Sequence, residues 1–143
     1  MPPNVTRPCA FVLLRAGDRV LVSEMHDDIE GVFYRPPGGG IEFQESSDAA
    51  ARRELQEELN VRVDGPALLG VREAIFTHRG EPYHEIAFLY EAWLSPEALD
   101  ALDGTAIVED DGDIEIARVV DVADLRAGRF SPLYPAGVLD LLG

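Results

Sequence analysis

The chain has 143 residues, 27 acidic against 12 basic, and a formal net charge of -15. That length suits one domain, able to bury roughly two-thirds of the surface its unfolded form exposes. Every basic residue is arginine, which excludes a lysine Schiff base and the lysine of a nucleotide-binding P-loop.

In chain order, Met1-Pro2-Pro3-Asn4 lacks the basic start and long apolar stretch of a secretory signal, so a cytoplasmic location is expected. Cys9 to Leu14 is the longest strictly apolar run and is far short of a membrane span. Cys9 is also the single cysteine, which excludes an internal disulfide and makes a thiolate zinc site a poor reading. Cys9 to Leu14 and Arg19 to Ser23 read as strands joined by a tight turn at Ala16-Gly17-Asp18. Val32 to Arg35 reads as a short strand, stopped by Pro36-Pro37-Gly38-Gly39-Gly40. Such density of proline and glycine marks a fixed, close-approach loop. Ser46, Ser47 and Asp48 offer capping oxygens for a helix ending at Leu59, with Ala51, Leu55 and Leu59 as its buried stripe. Asn60 suits the left-handed residue that closes many helices. Leu68 to Thr77 and Tyr83 to Trp93 read as two longer strands. Ser95-Pro96-Glu97 starts a short helix to about Leu102. Ile114 to Val120 reads as a strand, Asp121 to Leu125 as a helical turn, and Ala136 to Leu142 as a terminal helix. This order implies one domain over residues 1–143, a mixed sheet with helices on its faces.

The chemistry concentrates between Gly39 and Val61, GGIEFQESSDAAARRELQEELNV. At roughly 100° per residue, Glu54, Glu57 and Glu58 share one arc beside the apolar stripe of the helix. An acidic helix face is ordinarily just solvated, and the like-charged pair Glu54 and Glu58 costs a few tenths of a kcal/mol. Carboxylates clustered at a buried edge are what a hard, oxygen-loving cation such as Mg²⁺ needs. Arg53 is placed to pair with Glu57 or Glu45 and hold a carboxylate in position. The glycine loop before the helix lets a backbone carbonyl approach a metal.

This segment resembles the signature of the Nudix hydrolases, G-x₅-E-x₇-R-E-U-x-E-E-x-G-U, where U is a bulky aliphatic residue. Gly39, Glu45, Arg53, Glu54, Leu55, Glu57, Glu58 and Val61 match at the required spacing, and Asn60 replaces the last glycine. The resemblance implies an α/β/α sandwich with the signature forming a loop-helix-loop. It implies hydrolysis of a diphosphate linked to another moiety, with Mg²⁺ or Mn²⁺ as cofactor. Carried over by position, Glu54, Glu57, Glu58 and the Gly39 carbonyl would bind metal, and Arg53 with Glu45 would be the supporting pair. Many members of the family add a carboxylate from a loop before a late strand. Glu109, Asp110, Asp111, Asp113 and Glu115 are all candidates, and Asp113 and Glu115 are preferred for their position at the Ile114 strand.

Arg35, Arg72 and Arg79 are candidate phosphate clamps, and Phe33, Tyr34, Phe76 and Tyr83 are candidate stacking partners for a base. No mark of a substrate-specific subfamily stands near the signature. The expected activity is a metal-dependent pyrophosphohydrolase acting on a small nucleotide-type diphosphate. The rival reading is a binding module that holds a nucleotide or metabolite without cleaving it. A surface this acidic repels long nucleic acids and needs cations between itself and a polyphosphate. No membrane partner is expected, and a homodimer is compatible with the sequence.

Overall fold

The fold, seen in a computed structural model that describes residues 4–109 and 111–142, is built around strand β1 (Thr6–Ala16). From Cys9 onward β1 is buried on both faces, which is why its sequence is nearly all apolar. The following strands are β2 (Arg19–Asp27), β3 (Gly31–Arg35) and β4 (Gly38–Gly40), then helix α1 (Ser47–Leu59). After these come β5 (Ala67–His78), β6 (Glu81–Trp93), α2 (Pro96–Asp100), β7 (Ala106–Val108), β8 (Ile114–Asp121) and α3 (Val122–Arg126). One 3₁₀ turn, Val138–Leu141, closes the order.

The strands form one mixed sheet in the order β5-β6-β1-β2-β8-β7, with β3 on β2 and β4 on β1. β1 and β6 run parallel from Thr6 and His84 to Arg15 and Trp93, and the remaining pairs are antiparallel. β1 and β2 pair only near their shared turn, from Leu14↔Leu21 to Ala16↔Arg19. Beyond that point they fork. β1 takes β4 along Cys9 to Phe11, and β2 takes β3 along Ser23 to Asp27. The chain from β3 through Pro36-Pro37 to β4 therefore crosses the fork, with the amide of Val12 donating to the Pro37 carbonyl at 2.9 Å.

Helix α1 covers one face of the sheet. Its buried Ala50, Ala51, Leu55 and Leu59 meet Ala10, Val12 and Leu14 of β1, joined by Leu99 of α2 and Ile107 of β7. Full burial of each leucine contributes about 1.5–3 kcal/mol, so this stripe sets the register of the helix against the sheet. The other face packs Cys9, Phe11 and Leu13 under Val122 and Leu125 of α3 and Val138 of the 3₁₀ turn. The result is the α/β/α sandwich expected from the sequence. Among the described residues no helix is long and apolar enough to cross a membrane.

Three local expectations differ from what is observed. Gly38-Gly39-Gly40, read as a loop, is a short strand, because its glycines let the backbone lie flush on β1. A Cβ on Gly38 would fall 2.7 Å from the Phe11 Cα. The expected terminal helix shrinks to the 3₁₀ turn, with Pro135 and the positive-φ Gly137 just before it. The three-residue β7 carried no readable pattern of its own and exists through its pairing with β8.

The ends of α1 follow the sequence closely. The Ser46 hydroxyl accepts from the Ala49 amide at 3.1 Å, and Asn60 closes the helix at φ 55 and ψ 40. Asn60→Gly is expected to stay within about 1 kcal/mol of the parent in a denaturation curve, since both residues accept this conformation. Asn60→Val is expected to lose clearly more, because a β-branched residue is strained at positive φ.

Candidate active site

Arg53 ties the loop before α1 to the helix itself. Its Nε and Nη2 donate to the two oxygens of Glu45 at 2.8 and 2.9 Å, and Nη2 also reaches the Gly40 carbonyl at 3.0 Å. Nη1 donates to Glu54 at 3.0 Å and to Glu57 at 3.3 Å. This forked geometry suits guanidinium and no other side chain. The bonds from Arg53 hold the Glu45 carboxyl below its ordinary pKa, and Glu45 also accepts from the Glu42 amide at 3.0 Å. Gly39 lies against Glu54 so closely that a Cβ there would come within 2.7 Å of its Oε1. Any side chain at position 39 would push the carboxylate away.

The three glutamates of the helix separate by environment. Glu57 faces solvent with its side chain 53% exposed, while Glu54 is mostly covered. Both oxygens of Glu58 are buried, with no hydrogen-bond partner among the described residues. Burial, and next the charge of Glu109, push the Glu58 carboxyl up to about 10. Glu109 stands just past β7 and is pushed up to about 8 by burial and by its contact with Glu115. Glu115, within β8, is buried too. The β7–β8 hairpin therefore carries two carboxyls toward the helix, and Arg35 of β3 faces both, at 3.5 Å from Glu115 and 3.8 Å from Glu109.

An orphaned, buried carboxylate among others is a hole in the hydrogen-bond accounting that a hard divalent cation would fill. The donor set is all oxygen and fits Mg²⁺ or Mn²⁺. As the side chains stand, no group of three His, Cys, Asp or Glu converges tightly enough to hold a metal among the described residues.

The remaining sequence-predicted residues lie elsewhere. Asp113 is exposed in the hairpin turn, its amide bonded to Asp111 Oδ1 at 2.9 Å, and it does not join the cluster. Asp110 lies outside the described residues. Arg72 donates to the Val71 carbonyl at 3.1 Å. Arg79 pairs with Asp27 at 3.1 Å, and its amide donates to Glu30, clasping the β5–β6 turn to the β2–β3 turn. Phe76 and Tyr83 stack on one another at 5.3 Å, and Tyr134 stacks beside Phe76 at 6.5 Å. Tyr134 also meets Phe33 edge to face, so these rings line one end of the fork. Sequence reasoning weighed Glu109 without choosing it. It passed over Tyr134, since a lone tyrosine in a loop carries no pattern. The Cys9 thiol donates to Glu85 at 3.5 Å and is pushed up to about 12 by burial, which leaves it protonated and inert.

Comparison with known proteins agrees with this geometry. The family model of the NUDIX domain matches residues 5–138. A MutT Nudix hydrolase from Burkholderia pseudomallei superposes with a TM-score of 0.71 at 25% identity, over 96% of this chain and 97% of that one. A Nudix hydrolase from Nitrosomonas europaea gives a TM-score of 0.64 at 17% identity, over 96% of this chain and 86% of that one, a likeness of fold. An RNA pyrophosphohydrolase from Novosphingobium aromaticivorans is 42% identical over 59 residues, which is 41% of this chain and 37% of that relative. With the glutamate helix, its arginine brace and the α/β/α sandwich in place, the chain belongs to the NUDIX domain family.

Proposed function

We propose that the chain is a divalent-metal-dependent pyrophosphohydrolase that cleaves a phosphoanhydride bond in a small nucleotide-type diphosphate. The observation that carries this reading is Glu58, buried with both oxygens unpartnered beside Glu54 and Glu109. A protein that only held a nucleotide would gain nothing from a desolvated carboxylate cluster, which is destabilising until a cation neutralises it.

In this reading Glu54, Glu58, Glu57 and the Gly39 carbonyl hold the cation, with Glu109 and Glu115 completing the set in place of the expected Asp113. A bound Mg²⁺ or Mn²⁺ supplies neutralisation of the diphosphate and a water acidic enough to attack near neutral pH. Arg53 and Glu45 keep the loop and helix in fixed relation. Glu57, exposed and held by a single long bond from Arg53, is the carboxylate best placed to accept the proton of the attacking water. Attack within the anhydride leaves two phosphorylated fragments.

The test is a screen of nucleoside di- and triphosphates, sugar nucleotides, dinucleotides and a 5′-triphosphorylated oligonucleotide. The oligonucleotide follows from the RNA pyrophosphohydrolase relative, although the net charge of -15 disfavours long nucleic acid. Turnover is expected for at least one phosphoanhydride, with loss in EDTA and recovery on adding Mg²⁺ or Mn²⁺. Full activity in EDTA, or hydrolysis of simple phosphomonoesters alone, would refute the mechanism.

A further inference from the structure

Arg35 closes β3, at the point where the chain turns into Pro36-Pro37 and crosses the fork to β4. Strand pairing fixes what it meets. Arg35 stands opposite Ser23 of β2, and Ser23 stands opposite Ala117 of β8. Glu115 precedes Ala117 on the same face of β8, and its own partner on β7 is Ile107, just before Glu109. Arg35 Nη2 is 3.5 Å from Glu115 and 3.8 Å from Glu109, and the guanidinium lies over the Phe11 ring of β1 at 5.6 Å.

Neither side of this contact is satisfied elsewhere. Among the described residues no other arginine pairs with Glu109 or Glu115. Glu109 Oε1, the atom that Arg35 approaches, is buried with no hydrogen-bond partner. Arg35 Nε is buried and unpartnered as well, so a phosphate arriving from solvent cannot take the edge of the guanidinium to which Nε belongs. Glu109 and Glu115 are in contact, and two covered carboxylates repel unless a cation stands beside them. The charge of Glu58 also acts on Arg35, after those of Glu115 and Glu109. Hairpin, helix and β3 thus converge on one guanidinium.

We infer that Arg35 is a positioning residue, which through Glu115 and Glu109 holds the β7–β8 hairpin to β3 so that the hairpin carboxyls and the α1 glutamates act as one set. This replaces the phosphate clamp that its sequence context suggested, and it rests on the phosphoanhydride reading above. A clamp would act on substrate affinity. A residue that sets the place of other carboxyls acts on the rate of the bound complex, and only while those carboxyls are there to be held.

The experiment places Arg35→Gln and Arg35→Lys in the parent and in a Glu109→Gln, Glu115→Gln background. Arg118→Gln is the control for loss of one positive charge on β8, since Arg118 bonds Glu24 on the opposite face of that strand. At saturating Mg²⁺, on the best substrate from the screen, Arg35→Gln should lower kcat by about 10- to 100-fold, the scale of a small misplacement of catalytic groups. KM should stay within about twofold of the parent. Arg35→Lys should recover part of the rate, because the charge is kept and the planar fork is lost. In metal-free protein, amide hydrogen exchange across residues 106–116 should quicken in Arg35→Gln while that of α1 does not. In the carboxamide background Arg35→Gln should change neither exchange nor rate further, since paired effects are not additive. Exchange decides where that background is too slow to assay, and Arg35→Lys replaces a glutamine variant that does not fold. A rise in KM with kcat unchanged would overturn the inference and restore the clamp. An equal loss of kcat in Arg118→Gln, an Arg35 effect that persists in the carboxamide background, or hairpin exchange like the parent's would each overturn it too, and would leave the catalytic reading standing. A parent that cleaves no anhydride, yet whose hairpin loosens on losing Arg35 only while Glu109 and Glu115 are carboxylates, would overturn the catalytic reading and keep the tie.

Discussion

Glu58→Gln is expected to lower kcat by about 10² or more while leaving the metal-free protein at least as stable as the parent. The two effects have one cause. Both oxygens of Glu58 are buried, so without a cation the carboxyl takes up a proton, and its ionised form is a burden to the fold. Glutamine keeps the shape and removes the charge, and with it the capacity to hold a hard cation. Glu57→Gln should cut kcat comparably without any gain in stability, because Glu57 is already half in solvent. Initial rates at saturating Mg²⁺, read beside thermal melts in EDTA, separate the two variants. Parent-like rates in both would remove this helix from the chemistry.

The second large effect concerns pH. In EDTA the parent is expected to be more stable near pH 5 than near pH 9. Glu58 and Glu109 are pushed up to about 10 and about 8, above an unfolded value near 4.5. Between those limits the folded state binds more protons than the unfolded state, so stability falls as pH rises. It is fully present below the unfolded pKa and is lost as pH climbs through the folded ones. Each proton of difference amounts to about 1.4 kcal/mol per pH unit. Mg²⁺ should reverse the trend, since it binds the deprotonated carboxylates and displaces their protons. Melting temperatures across pH 5 to 9, with and without metal, test the sign. Melting temperatures in EDTA that climb steadily toward pH 9 would contradict the burial of this pair.

The helix and its brace were legible because the information is local. Ser46, the Ala51-Leu55-Leu59 stripe and Asn60 each act within a few residues, and the Glu45–Arg53 pairing needs only the helix and its preceding loop. Glu109 was harder to select. Its place depends on β7, three residues long, which pairs so that Ile107 sits opposite Glu115. The turn between them leaves Asp113 outside. The ion pair of Arg79 was hidden for a similar reason. Its partner Asp27 belongs to another hairpin, and only the forked sheet brings the two turns together. Arg35 is a candidate phosphate clamp by sequence, and nothing in its own strand announces the two glutamates of the β7–β8 hairpin that it faces.

The fork between β1 and β2 divides the labour of the molecule. One branch, β1 with β4 and α1, carries Gly39, Arg53 and the helix glutamates on a single packed unit. The other, β2 with β3 and the strands beyond, supplies Phe33 and Arg35 and ends in the exposed turn at Asp28 to Glu30. Because the branches share only a short stretch of pairing, the β2–β3 turn can be lengthened, shortened or re-lined without disturbing the helix glutamates or the carboxyls of the β7–β8 hairpin. Selection for a new ligand can therefore act on that turn while the carboxylates stay unchanged.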